Sequence, residues 1–313
     1  MSAGWVAAVV RARVLAGRCP GRAGAREIAA STTLDDALHR LAGTPYGRYA
    51  RTAATLPGAQ RSVTATLLWH LRVLAGWLPR GGARLLRPLA SGFEIANVAS
   101  RLPVRGGPGT DPEAAAWQPY RLGALETAWR SLERAATPAE LRAALAASPW
   151  GDPGAETPWA LITGMRMAAA RRTAAAVPAA RRWAQGRAAL LTARERFVHR
   201  RPLPAPVRRD AAALLGPRAV DAASFTDFRD GLPSTARWVL EGVGEPGGLW
   251  RAEAHWWRVL HLDGTAMLRT GRHGPRTVVG AVAVLSADAW RVRAALESAA
   301  RGGRPLEEWD ALV

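Results

Sequence analysis

Gly242, Gly244 and Gly247 spell G-x-G-x-x-G, the spacing that lets backbone amides approach a dinucleotide pyrophosphate when it follows a strand and opens a helix. Here Pro246 interrupts the glycines and a helical pattern precedes them, so a plain loop is expected. His255 and His261 fall about 240° apart on a helix, too far round to share a zinc ion, and His273 lies in a turn beside Gly274. Asp35 and Asp36 diverge on a helix and are better placed to meet its positive end than to act as an acid/base pair. Trp129-Arg130, Arg182-Trp183 and Trp257-Arg258 could stack bases and grip phosphates, but their dispersal favours packed rings with arginine lying along them. Cys19, the single cysteine, cannot close an internal disulfide, which points to a reducing compartment. These residue types assign no catalytic, cofactor or metal position.

All 43 basic residues are arginine and 25 residues are acidic, for a net charge of +18. Without lysine there is no Schiff base, no pyridoxal phosphate anchor, no P-loop of the G-x-x-x-x-G-K-[ST] kind and no serine–lysine pair. Part of the bias toward Ala, Arg, Gly and Pro reflects a GC-rich coding sequence. The charge excess that remains is expected on surfaces facing acidic partners or anionic headgroups. With 49% hydrophobic and 22% charged residues, the 313-residue chain can fill real cores. Met1 to Val10 is apolar but lacks a basic leader, and Thr277 to Ala287 is far shorter than the roughly 20 residues of a spanning helix. A soluble, cytoplasmic chain is expected.

The elements that position these residues repeat. Thr33 to Gly47 (TLDDALHRLAGTPYG) recurs as Thr137 to Gly151 (TPAELRAALAASPWG), and a worn copy runs from Ser224 through Asp227, Leu232, Ser234 and Thr235 to Trp238, with Ala236 in place of the proline. In each copy Thr or Ser is an N-cap, and an acid (Asp36, Glu140, Asp227) stands at N3 near the positive helix end. Pro138 suits N1, and Thr44-Pro45 or Ser148-Pro149 turns the chain out of the helix. A second element, Glu94 to Leu102 with Asn97 and Arg101, resembles Asp288 to Leu296 with Arg291 and Arg293. In the middle of the chain only Arg194 to Arg200 is available to match it.

Proline and glycine place linkers at Pro103 to Pro119 and at Arg201 to Pro217, with a break at Gly242 to Gly248. Three helical repeat domains are expected, at 1–110, 111–208 and 209–313. Helices are predicted at Arg61 to Trp77, Leu122 to Ala135, Pro158 to Arg172, Ala179 to Arg200 and Arg276 to Ala300, and nothing demands a sheet.

The capped helix ending in Leu-Ala-Gly-Thr44-Pro45-Tyr46-Gly47, the stretch Glu94-x-x-Asn97-Val98 and the Gly274-Pro275 turn before the last helix occur in a chain near 310 residues. In that order they resemble the central-stalk cap protein of rotary V- and A-type ATPases, a family with eukaryotic and prokaryotic members. The resemblance covers nearly the whole chain. It departs at Ala99, where the family has a basic residue with Arg101 two positions on here, and at Arg291, where the last copy usually has Asn.

That resemblance implies an all-α fold of three similar domains in a pseudo-threefold funnel, peripheral on the cytoplasmic face of the membrane. Its implied partners are the rotor shaft subunits and the proteolipid ring, with anionic lipid headgroups nearby. It implies no active site and no cofactor; the work is torque transmission for proton or sodium transport coupled to ATP hydrolysis or synthesis. Two other readings stay open: a helical nucleic-acid-binding protein with an Arg-rich groove, which +18 favours, and an enzyme with a concave polar pocket.

Overall fold

The structure is a computed structural model that describes residues 3–50, 53–102 and 118–303. Among them it is helical with no strand, the all-α class expected. In chain order the longer helices are α1 (Ala3–Gly17), α2 (Gly21–Ala29), α3 (Leu34–Ala42), α4 (Leu56–Trp77), α5 (Ala83–Leu89) and α6 (Ser91–Ala99). There follow α7 (Pro138–Ala146), α8 (Pro158–Ala176), α9 (Arg181–Ala193), α10 (Ala205–Leu215), α11 (Phe225–Gly231), α12 (Leu249–Arg269) and α13 (Pro275–Ala300).

Two compact units divide the chain. The first comprises Met1–Leu86, Gly107–Tyr120 and Trp257–Val313, with α1 packed on α13; the second comprises Arg87–Gly106 and Arg121–Trp256. In the first, Ile28 of α2, Leu41 of α3, Val63 of α4 and Val292 and Leu296 of α13 meet around Tyr46. Helix α13 crosses the second half of α12 where two glycines face each other: a Cβ on Gly280 would lie 2.7 Å from the Gly264 carbonyl oxygen, so any side chain here would force the helices apart. In the second unit α8, α9 and α10 pack on one another through Leu161, Met165, Ala188, Ala189, Val207 and Ala211.

The short helices start as the repeats demand. The Thr33, Thr137 and Ser224 hydroxyls accept from the amides of Asp36 (3.2 Å), Glu140 (3.2 Å) and Asp227 (3.1 Å). Glu140 also reaches back to the Ala136 amide at 2.7 Å, giving two free amides reciprocal partners. Thr137→Ala is therefore expected to cost about 1 kcal/mol, read as a lower denaturation midpoint with an unchanged slope; no measurable change would mean that packing alone holds α7.

Three expectations are corrected. Leu122 to Ala135 is not one helix but a 3-10 turn at Gly123–Leu125 and a single turn at Trp129–Leu132. The amides of Thr127 and Ala128, which a continuous helix would use, are bound by the Glu94 carboxylate instead. The linker placed at Arg201 to Pro217 contains α10, whose Val207, Ala211 and Leu215 bury one face at helical spacing, with Pro206 in the first turn where its missing N–H is harmless. The helix expected over Ala179 to Arg200 is α9 followed by a π-turn at Arg194–Val198. Of the linker at Pro103 to Pro119, residues 103–117 lie outside the described residues.

Candidate functional site

The repeated motifs converge on buried carboxylates. In the first unit Thr44 closes α3 by donating to the Leu41 carbonyl (2.7 Å), and its hydroxyl accepts from the Tyr46 amide (3.2 Å). Pro45 lies between them. Gly47 follows, where a Cβ would lie 2.3 Å from the Ala42 carbonyl oxygen. This turn drives the Tyr46 side chain inward, where its hydroxyl donates to Asp288 Oδ2 at 2.7 Å; the other oxygen, Oδ1, accepts from the Gly21 amide at the start of α2 at 2.8 Å. Asp288 projects from α13, which begins at the Gly274-Pro275 turn, and is 1% exposed.

The second unit repeats the wiring in kind. Ser148 donates to the Leu145 carbonyl (2.8 Å) and accepts from the Trp150 amide (3.2 Å), Pro149 lies between them, and the turn continues through Gly151 at φ +79°. The Trp150 indole N–H then donates to Glu94 Oε1 at 2.7 Å. Glu94, on α6 and 1% exposed, also accepts from the amides of Thr127 (2.7 Å) and Ala128 (2.9 Å). In both places one carboxylate ties an inward aromatic to backbone amides on a separate segment.

Each carboxylate has an arginine close by. Arg291, one turn after Asp288 and 4% exposed, donates toward His261 Nδ1 at 3.4 Å. Burial holds the Asp288 carboxyl above the usual carboxylate range, although Tyr46, Gly21 and Arg291 pull it down. Burial, and then Asp288 itself, push the Cys19 thiol up. Beside Glu94, Arg172 lies over the Trp150 ring (4.9 Å) and donates to the Thr127 hydroxyl at 3.1 Å.

The worn third copy lacks the carboxylate. Trp238 stands one residue farther from its N-cap than Tyr46 and Trp150 do, and its indole N–H donates to the Thr235 carbonyl at 2.9 Å. What persists is an arginine clamp. Arg101 donates to the carbonyls of Leu132 and Ala135 ahead of the Thr137 cap, and Arg196 to those of Val220 and Ala222 ahead of the Ser224 cap. Seven residues before Arg101 stands Glu94; seven before Arg196 stands Ala189. Glu195, the acid that sequence matching offers, serves another ring, accepting from the Trp159 indole at 2.5 Å.

Of the remaining motif residues, Asn97 is buried in α6 and Arg293 is exposed on α13, where it contributes positive potential at Tyr120. Gly242, Gly244 and Gly247 occupy turns and a 3-10 segment between Trp238–Leu240 and α12. His255 packs against Trp238 at 5.7 Å while His261 faces Arg291. Of the tryptophans in the adjacent Trp-Arg pairs, Trp129 and Trp183 are buried, and Trp257 lies flat on Trp290. Arginines distant in sequence cover other rings, Arg182 on Trp238 (4.5 Å), Arg187 on Trp256 (5.3 Å) and Arg48 on Trp69 (4.7 Å). An open cavity of about 250 Å³ is lined by Arg196, Leu203, Arg208 and Asp221, its cations already engaged by carbonyls and by Asp221.

Among the described residues no cluster of His, Cys, Asp or Glu could hold a metal ion, and no helix is long and apolar enough to cross a membrane. Arginine is shared evenly, 20 against 11 acidic residues in the first unit and 23 against 14 in the second. Compared with sequence models of known families and with curated proteins, the chain matches none.

Proposed function

We propose that the chain is a non-catalytic rotor subunit of a V/A-type ATPase, joining the central shaft to the proteolipid ring and passing torque between ion transport and ATP hydrolysis or synthesis. The observation that carries this reading is the repeated anchor: Tyr46 and Glu94, which belong to the motifs of the resemblance, pair with Asp288 and Trp150 of the internal repeats, so that the same kind of constellation forms twice. A repeat retained at the level of buried carboxylates and backbone amides supports a mechanical role. Each anchor cross-links an acid-bearing helix to a turn that ends a capped helix, through charge-assisted hydrogen bonds that are stronger than neutral ones.

Torque transmission needs stiff bodies whose outer surfaces grip partners without chemistry. Arginine provides planar, multi-donor contacts to carboxylates and carbonyls. Of the rings that a nucleic-acid reading could use for stacking, Trp238 and Trp256 are each 9% exposed and each already carries an arginine, whereas Trp77 and Trp250 are half exposed.

Co-purification of the tagged chain at modest salt from its own organism tests the reading. Recovery of shaft and proteolipid subunits is expected. Recovery of nucleic acid without them, with affinity falling steeply as salt rises, would replace it with the nucleic-acid-binding reading.

A further inference from the structure

Helix α1 is apolar almost all the way round, yet only one side of it is covered. Ala8, Val9, Ala12 and Leu15 are buried against α4 and α13. On the opposite side Val6, Val10 and Val14, each one turn from the next, are 40%, 51% and 46% exposed. They form an aliphatic stripe about 12 Å long. A helix apolar on every side is ordinarily enclosed, so this face calls for an occupant.

Arginines flank the stripe. No acidic residue precedes Glu27. Gly4 packs on Pro79, which brings Arg80 to the start of the helix. Arg11 lies 5.7 Å from the ring of Trp77, itself 50% exposed. On the other flank Arg13 donates to the carbonyls of Leu268 and Thr270, which sets exposed Arg269 beside it, and Arg18 stands exposed past the last turn.

We propose that this face of α1 lies on an anionic lipid bilayer, the valines and Trp77 entering the headgroup boundary while the arginines meet lipid phosphates. A second copy of the chain docked through this same face would set arginine against arginine. A folded protein partner would need a larger and more contoured surface than three valines in a row. A bilayer asks for no shape complementarity, and aliphatic stripe, interfacial tryptophan and basic flanks are the chemistry it binds. The proposal deepens the rotor reading by naming the membrane-facing surface.

The test is sedimentation of the full chain with vesicles of phosphatidylcholine alone and of phosphatidylcholine mixed with phosphatidylglycerol. Binding is expected only to the anionic vesicles, weakening with salt. Val10→Glu, at an exposed position that leaves the core intact, is expected to reduce partitioning about tenfold. Arg18→Gln and Arg80→Gln are expected to reduce it about fivefold each. The proposal is overturned if anionic vesicles bring down no protein, if Val10→Glu binds as well as the parent, or if the free chain is a dimer that Val10→Glu splits. Vesicle binding needs no other subunit. A chain that recovers the shaft but ignores vesicles sinks the lipid face alone, and one that binds vesicles but never recovers the shaft sinks the rotor reading alone.

Discussion

Asp288→Ala and Glu94→Ala are each expected to lower the unfolding free energy by roughly 3–5 kcal/mol, several times the effect of any surface substitution. Removing Asp288 leaves the Tyr46 hydroxyl and the Gly21 amide without their buried acceptor and takes away the negative charge that favours the cation of Arg291. Removing Glu94 strands two amides and the Trp150 indole. A buried donor left without a partner costs about 1–3 kcal/mol, and an uncompensated buried charge more. Trp238→Phe is the contrast. It removes one bond to a carbonyl and should cost about 1 kcal/mol beyond repacking. Urea denaturation followed by tryptophan fluorescence reads all three. Losses below about 1 kcal/mol for both acid variants would mean that the carboxylates decorate the repeats without holding them. Amide exchange locates each effect, with Asp288→Ala expected to loosen the first unit and Glu94→Ala the second.

How legible this was in the sequence differs from element to element. The N-caps could be read because capping is local: Thr33, Thr137 and Ser224 act on amides three residues away. The long helices were legible from composition and period. Glu94 and Asp288 were legible as recurring residues, but their partners were not, since Gly21 and Tyr46 meet Asp288 across more than two hundred residues and no local pattern records that pairing. The error at Leu122 to Ala135 has the same origin. Helix propensity there is real, but a carboxylate from α6 takes the amides the helix needed. Helix α10 was hidden by its prolines. One of them, Pro206, occupies the first turn, where proline starts a helix instead of ending one. In the third copy the missing acid is visible only once Arg101 and Arg196 are seen to clamp equivalent loops.

Stability is also expected to fall as the solution is acidified from about pH 6.5 to about pH 4, by up to about 4–5 kcal/mol from two histidines of the first unit. His70 is 6% exposed, its Nδ1 has no hydrogen-bond partner, and burial followed by the charge of Arg18 lowers its pKa to about 4. Burial and then Arg291 lower His261 to about 4 as well, and the contact from Arg291 requires a neutral imidazole with a free lone pair on Nδ1. In both cases the folded pKa lies below the unfolded value. The unfolded chain therefore takes up protons first, so the stability is intact above about pH 6.5, is lost on the way down, and levels off near pH 4 where the folded histidines charge. One pH unit across the window costs about 1.4 kcal/mol per fully coupled histidine, and His261, the less buried, contributes the smaller share. Asp288 acts with the opposite sign. Its folded pKa is raised, so its protonation favours the native state as pH falls and softens the lower end of the decline. Urea midpoints at half-unit steps between pH 7 and pH 4 test this for the parent, for His70→Leu and for the double variant with His261→Asn. The parent should slope through the window and the double variant should be nearly flat, whatever its absolute stability. An equal slope in both would place the acid sensitivity in the carboxylates instead, and would require His70 and His261 to be charged in the folded chain.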